Sequence, residues 1–374
     1  YLLLVSASAA YAADEEQYMS LTLDQAIVNV LEHNPQLIVA DFEAKAAAAR
    51  IRAARLTPAF QTSMQLENFG GSGILSGTDV LESTLSLSKV LELGDKAKLR
   101  GDVAHNKALI LRNEQDAMRL DLMADTTRRF LQIVTDQERL VIAQDSLELA
   151  ERTYNFIELR VKAGKLPDVE LARARIVLAK KELELEHARH TLTSSRMKLA
   201  TLWGQTQTQF STADADLFDI EQAEPFETLA QLLERNPDLV RFATGSRLAE
   251  TRIQLAGSRK KADIEIAGGL RHVNLTDDTG LVMSINIPLG NNTRAAPKVE
   301  EAEMTSRRNP YDLEQRRLEL YATLFEVHQE LTHAIEAEST YRKTIIPLAE
   351  STLKDYEKGY SAGRYSLLEL NVAQ

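Results

Sequence analysis

Two pairs of histidines are the residues whose type and spacing come closest to a metal site. His187 and His190 lie three positions apart and His328 and His333 five apart, all in charged segments that read as helices. A protein metal site needs three or four ligands, and neither pair has a third ligand nearby in the sequence. The better interpretation is that these histidines are solvated side chains on charged helices. We therefore expect no bound metal and no cofactor.

Catalytic motifs are missing from the sequence, and the composition excludes several classes of protein. There is no Gly-x-Ser-x-Gly, no His-Glu-x-x-His and no phosphate-binding loop, because the glycines at 70–77 lack the required spacing and lysine. No cysteine is present, which excludes disulfides and thiol nucleophiles. With 44 Lys and Arg against 55 Asp and Glu, the net charge of −11 argues against a nucleic-acid partner. We expect neither an enzyme nor a nucleic-acid-binding protein.

The sequence contains an internal repeat. The segment from Leu31 to Leu37 matches that from Leu233 to Leu239, with Asn-Pro at the centre of both. A second landmark, Ala-Gly-Lys beginning at Ala163, matches Ala-Gly-Arg at nearly the same offset. Several landmarks in one order indicate a duplicated unit of about 200 residues. We predict a first repeat at 14–205, a linker at 206–224, and a second repeat at 225–374 that stops before its last helix.

The first residues read as the end of a secretory signal. Residues 1–13 are apolar and then rich in small residues, and Ala10-Tyr11-Ala12 has the form of a cleavage site. No other stretch holds the ~18 consecutive apolar residues of a spanning helix. Export then leaves two outcomes, a soluble periplasmic protein or an outer-membrane β-barrel.

Each repeat contains two segments in which apolar and polar residues alternate. This period of two predicts strands at about 59–68 and 80–90 in the first repeat, and 262–272 and 279–289 in the second. The alternation also assigns the side chains to two faces. We expect a lipid-facing set of Leu85, Leu87, Ile264, Ile266, Met283 and Ile285, and a lumen-facing set of Ser86, Glu265 and Ser284.

Long helices fill most of the remaining sequence. A helix of about 66 residues is predicted from Lys96 to Lys162, followed by a turn at Gly164 and a second helix that Asp168 would cap. Apolar positions alternate in steps of three and four along both helices, which is typical of a coiled coil. In the second repeat we expect Pro310 and Pro347 to start, kink or break the corresponding helix.

These elements predict a mainly helical fold with a small β part. Four strands per chain cannot close a barrel, but three copies would supply twelve, above a tube of helical hairpins. The repeat, the Asn-Pro break, the strand pairs and the Gly turn followed by Ser-Leu-Leu-Glu-Leu resemble the outer-membrane efflux factors of the TolC superfamily from Leu21 to Gln374. The segment Val90–Lys96 is similar to the Glu-Leu-Gly-Gly-Lys-Arg stretch of the heavy-metal (Czc-type) branch, with departures at Asp95 and Ala97.

The resemblance implies a trimeric exit duct with defined partners. Such a duct spans the outer membrane of a Gram-negative bacterium and extends into the periplasm. It docks by its hairpin turns onto a periplasmic adaptor and is supplied by an inner-membrane pump of the resistance-nodulation-division type. The cargo would be heavy-metal cations or drugs. The expected docking residues are Gly164, Leu166, Asp168, Tyr360, Gly363, Tyr365 and Ser366.

The resemblance also places an acidic gate at Glu369, with Glu170 as its counterpart in the first repeat. Three-fold symmetry would turn Glu369 into a ring of carboxylates that attracts cations. The family's second acidic position falls on Val372, so one ring is expected. The alternative is that Glu369 simply favours the start of a helix. An exported soluble coiled-coil scaffold or adaptor is the competing hypothesis for the whole chain, although it does not explain the four alternating strands.

Overall fold

The computed structural model describes residues 19–218, 220 and 222–373. The predicted signal remnant at 1–13 lies outside these residues. In the described ranges, no helix combines the length and the apolar character needed to cross a bilayer.

The elements follow one another twice in similar order. The helices are α1 (Leu23–His33), α2 (Pro35–Ala54), α3 (Lys96–Lys162), α4 (Asp168–Ala200), α5 (Phe226–Leu232), α6 (Pro237–Ser258), α7 (Asn291–Thr340), α8 (Ile346–Ser361) and α9 (Leu367–Ala373). The strands are β1 (Met19–Leu21), β2 (Gln61–Glu67), β3 (Glu82–Leu91), β4 (Phe210–Ala213), β5 (Ile264–Val273) and β6 (Asp278–Asn286). β6 ends before Pro288, because a proline has no amide hydrogen for a strand pair.

The chain divides into two compact units. The strand unit comprises Val39–Met118 and Glu224–Gln329, and the tip unit comprises Tyr1–Ile38, Arg119–Ala223 and Glu330–Gln374. Each unit draws segments from both predicted repeats. Long helices such as α3 contribute to both units, so the compact units do not correspond to the predicted repeats. The division of the sequence into two repeats and a linker stays a prediction.

The Asn-Pro pairs break the helices as the sequence predicts. Asn34 ends α1 in an extended conformation, its side-chain oxygen accepts a hydrogen bond from the Gln36 amide at 2.8 Å, and Pro35 opens α2. Asn236 does the same before α6, accepting from the Asp238 amide at 2.9 Å. A proline disfavours the helical conformation in the residue before it, so each Asn-Pro pair ends one helix and caps the next.

The predicted long helix is confirmed, since α3 is a single helix of 67 residues. Its counterpart α7 is 50 residues long and passes through Pro310 without a break. Asn309 beside this proline donates to the Phe242 carbonyl at 3.2 Å, which attaches α7 to α6 at that point. Pro347 lies at the start of α8, directly after a π-helical segment at Tyr341–Ile345. A π-turn is a usual way to absorb an interruption in a helix.

In the strand unit, the four long strands form one antiparallel sheet in the order β2-β3-β5-β6. β3 and β5 join the two repeats, with Leu85 opposite Leu270 and Leu91 opposite Ile264. All four strand ends that lead to helices lie at one end of the sheet, and the two hairpin loops lie at the other. We call these the helix end and the loop end.

Candidate functional site

The register of the sheet separates an apolar face from a polar face. Antiparallel partners point to the same side, so the pairs Met64 with Leu85, Leu87 with Gly268, and Ile266 with Ile285 define one face. All six side chains predicted to meet lipid lie on it: Leu85, Leu87, Ile264, Ile266, Met283 and Ile285. Leu85 and Met283 are 55% and 72% exposed, so the described part of the protomer leaves much of this face uncovered. Its contact with lipid stays a prediction.

The opposite face is polar and carries an ion-pair cluster. Arg271 lies 3.1 Å from Glu82 and 3.5 Å from Glu67, and its Nε donates to Thr84 Oγ1 at 3.0 Å. Ser86, Glu265 and Ser284, which were predicted to face the lumen, lie on this same side. A sheet with one apolar and one polar face needs two different environments, such as lipid and water.

Buried and partly buried charges hold the helix end of the sheet. Lys96 donates to Asp263 at 2.6 Å and to the Lys261 carbonyl at 2.8 Å, although only 8% of Lys96 is exposed. Four residues further along α3, Arg100 binds Glu92 through two parallel hydrogen bonds of 2.5 and 2.9 Å. The charged residues of the segment from Glu92 therefore fix the passage from strand to helix.

The two predicted hairpin turns have the same geometry. Gly164 and Gly363 adopt φ of +67° and +73°, a left-handed conformation that favours glycine. The Lys165 amide donates to the Arg160 carbonyl at 2.9 Å, and the Arg364 amide donates to the Gly359 carbonyl at 2.8 Å. These six-residue loops are Schellman motifs, which end helices α3 and α8 in the same way.

An apolar core in the tip unit joins the two turns. Its buried members are Ile157, Ala174, Tyr360 and Leu370, and its partly buried members are Tyr154, Val161, Leu166, Leu171, Leu353 and Tyr356. Arg160 donates to the Ser361 carbonyl at 3.1 Å and lies over the Phe156 ring at 4.8 Å. Packing and this hydrogen bond hold the two turns side by side.

The structure corrects the position of two predicted docking residues. Tyr360 is 6% exposed and packs against Phe156, so it is a core residue and not an exposed anchor. Burial raises the pKa of its hydroxyl. Asp168 does not cap α4, because the cap position is held by Pro167 and Asp168 is the first helical residue. Its charge still favours the helix start through the macrodipole.

Two apolar side chains are exposed near the turns. Tyr365, which was predicted, is 42% exposed and packs on the Tyr356 ring at a centroid distance of 4.8 Å. Val169, which sequence reasoning missed, is 53% exposed in the first turn of α4. Leu166 is half-buried against the tip core. An apolar residue at the second position of α4 was the signal that could have identified Val169.

The two predicted gate carboxylates have different surroundings. Glu369 is exposed and accepts from the Ser366 amide at 2.7 Å and the Ser366 hydroxyl at 2.8 Å, while its own amide donates back at 3.3 Å. This is a capping box, the helix-start arrangement that the alternative hypothesis requires. Glu170 is instead bound to Arg173 at 3.0 Å, and its second oxygen is buried without a partner in the described part of the chain.

The capping box lowers the pKa of Glu369, first through the backbone hydrogen bond of Ser366 and then through its hydroxyl. A lowered folded pKa means that the cap stabilises the helix start fully above the unfolded value of about 4.3. That stabilisation is lost as the pH falls through the lower folded pKa. The carboxylate of a single protomer is therefore ionised at neutral pH.

Of the four histidines considered as metal ligands, His328 has structural contacts, whereas His187, His190 and His333 are exposed. His328 packs against the Phe226 ring at a centroid distance of 5.7 Å, and its Nε2 lies 3.0 Å from the Glu224 carbonyl oxygen. Over the residues that the structure describes, no three His, Cys, Asp or Glu side chains are grouped so as to hold a metal ion.

The sheet has two unlike faces, and the long helical hairpins have matched turns. These features together indicate a channel subunit that combines strands and coiled coils. Residues 26–205 of the chain match the model of the outer membrane efflux protein family. This match favours the hypothesis of an outer-membrane efflux channel over the soluble scaffold.

Relatives and solved structures agree with this assignment. The chain is 26% identical over 299 residues to the cobalt-zinc-cadmium resistance protein CzcC of Cupriavidus metallidurans, covering 78% of this chain and 70% of the relative. It is 23% identical over 299 residues to the pyoverdine export outer membrane protein OpmQ of Pseudomonas putida, covering 77% and 63%.

Solved structures share the fold. CusC matches with a TM-score of 0.76 and 18% identity, covering 95% of this chain and 86% of that chain. The outer membrane protein VceC of Vibrio cholerae matches with a TM-score of 0.71 and 18% identity, covering 94% and 88%. The predicted mainly helical fold with a small β part is confirmed.

Proposed function

We propose that three copies of this chain form the exit duct of a tripartite efflux system. The observation that carries this proposal is the sheet β2-β3-β5-β6, which has an exposed apolar face, a polar face, and two outer strands that pair with no further strand among the described residues. Within the described residues, one protomer alone shields neither the whole face nor the edges. Pairing β6 of each copy with β2 of the next closes twelve strands with the apolar face toward lipid.

The turns of the hairpins are the proposed contacts with a periplasmic adaptor. Both turns are Schellman motifs held side by side, so they present one rigid surface with Val169 and Tyr365 exposed on it. Rigid apolar side chains on a preformed surface suit docking, because little conformational entropy is lost on binding. Gly164 and Gly363 shape this surface, and Ser366 fixes the start of α9.

A photo-crosslinking scan tests the docking surface. Crosslinkers at Val169 and Tyr365 should capture the adaptor, whereas a crosslinker at Ile142, which is 63% exposed along α3, is the matched control. Strong capture from Ile142 with none from the turns would reject the assignment.

The proposed gate is a ring of three Glu369 carboxylates. The side chain is exposed in the protomer, so its charge is free to act on passing ions. In the trimer, mutual repulsion would raise the pKa of the ring, against the lowering effect of the capping box. Glu170 has a smaller part in this gate, because Arg173 already neutralises it.

We propose a resistance-nodulation-division pump as the inner-membrane partner and heavy-metal cations as the cargo. The support is the similarity to a cobalt-zinc-cadmium resistance protein and the strand-to-helix segment around Glu92 and Lys96. The similarity to pyoverdine export proteins favours a second cargo class, organic metabolites or drugs. Neither an enzymatic activity, a cofactor nor a nucleic-acid partner is part of the proposal.

Deletion and complementation test the function. Loss of the gene should increase sensitivity to Co²⁺, Zn²⁺ and Cd²⁺, and the wild-type chain should restore resistance from the outer-membrane fraction as a heat-sensitive trimer. Sensitivity to organic compounds alone would assign the second cargo class. A monomer released with the soluble periplasm would overturn the proposal.

A further inference from the structure

The helix end of the sheet carries a cluster of basic side chains at the boundary of the apolar face. Arg259, Lys260 and Lys261 follow the last residue of α6 and precede β5 by two residues. Lys89 lies on the apolar face itself, opposite Ile266 and near the end of β3. We call these four residues the basic band.

The band has no acidic partner in the described part of the chain. Arg259, Lys260 and Lys261 are exposed, and none has a carboxylate oxygen within 4.0 Å among the described residues. The neighbouring carboxylate of Asp263 is already bound by Lys96 at 2.6 Å and by the Leu93 amide at 3.1 Å. The positive charge of the band is therefore available to an external anion.

The position of the band restricts the kind of anion. The Lys89 ammonium lies 4.4 Å from the centre of the Phe60 ring, so its stem runs along the apolar face while its charge reaches the boundary. A ligand that meets both surfaces must combine a hydrocarbon part with an anionic head. A phospholipid has this combination, whereas a soluble anion would use only the band.

The two ends of the sheet differ in charge. The loop-end segments 68–81 and 274–277 contain Asp79 and Asp277 and no Lys or Arg. The net charge of the whole chain is −11, so the basic band is a local reversal of the chain's charge. An anionic head is attracted to the helix end and repelled from the loop end.

We propose that the basic band binds the phosphate head groups of anionic phospholipids in the leaflet on the helix side of the membrane. The inference rests on the proposed function, since it requires the apolar face of the sheet to lie in a bilayer. In this position the bound lipid would fix the depth of the sheet, with acyl chains on the apolar face and phosphate on Arg259, Lys260 and Lys261.

Lipid retention by the purified trimer tests this proposal. The trimer is stripped of lipid in neutral detergent, incubated with mixed micelles containing equal phosphatidylglycerol and phosphatidylcholine, and analysed by native mass spectrometry. The variant is Arg259→Gln/Lys260→Gln/Lys261→Gln. The matched control is Arg175→Gln/Lys180→Gln/Lys354→Gln, which removes the same charge from exposed positions in the tip unit.

Wild type and control should retain phosphatidylglycerol at least tenfold over phosphatidylcholine at low salt, and the band variant should lose most of this preference. An unchanged preference in the band variant would overturn the proposal, and so would full competition by inorganic phosphate, which would indicate a soluble-anion site. If the triple variant assembles poorly, Lys260→Gln alone should reduce the preference several-fold. Absence of any trimer in the wild type would instead count against the proposed function.

Discussion

Placing an arginine at Met283 should block assembly of the barrel by a calculable amount. Met283 lies one residue from the centre of the nine-residue strand β6, and its side chain is 72% exposed on the apolar face. One residue is about 3.4 Å along a strand, or about 2.5 Å along the membrane normal for a tilt near 40°. The arginine would therefore lie close to the bilayer midplane, where it costs about 2–4 kcal/mol per protomer.

This cost sets the expected measurement. Since about 1.4 kcal/mol is a factor of ten, M283R should lower the equilibrium for folding into phosphatidylcholine vesicles by about 30-fold or more. Urea titration of the folded, heat-sensitive trimer measures the shift. The matched control is S284R, one residue further along on the polar face, which should assemble almost normally.

Two outcomes would refute the reasoning. Normal trimer yield from M283R would mean that the apolar face does not meet lipid. An equal loss in M283R and S284R would mean that any arginine disturbs this strand, whichever face it occupies.

Three further predictions concern the gate, the sheet and the strand-to-helix junction. Glu369→Gln preserves the capping box, because glutamine also accepts at this position. In planar bilayers the trimer of this variant should lose its cation preference. In the wild type the same preference should fade as the pH falls and the ring protonates. Gly269→Ala should lower trimer yield, because a Cβ there would overlap the backbone of β3. Gly268→Ala should leave the yield unchanged, because there is open space around this position. Gel analysis of membranes measures both yields. Lys96→Met should destabilise the protein by about 1–3 kcal/mol in urea titration, because it leaves the partly buried carboxylate of Asp263 without its cation. The exposed Lys98→Met should have little effect.

Local sequence signals predicted the elements well. The Asn34-Pro35 break, the 67-residue length of α3 and the alternation in the four strands all depend on neighbouring residues. The Gly turn at Gly164 is likewise a local feature, since it needs a positive φ at one position.

Contacts between distant residues were beyond sequence reasoning. The burial of Tyr360 depends on packing with Ile157, which is distant in the sequence. The pairing of Lys96 with Asp263 joins positions 167 residues apart, so no spacing rule identifies it. The ion pair between Glu170 and Arg173 was accessible, because charges three apart on a helix are neighbours.

The pairing of the free sheet edges tests the central claim most directly. The chain contains no cysteine, so pairs introduced on the polar face of β2 (Ser63 or Gln65) and of β6 (Val282 or Ser284) would be the only thiols present. Directly opposed residues of neighbouring strands lie within the reach of a disulfide. Oxidation of outer-membrane fractions should give covalent dimers and trimers for at least one pair, and none for either single cysteine. Exclusively monomeric protein for every pair would contradict a duct closed by three copies of this sheet.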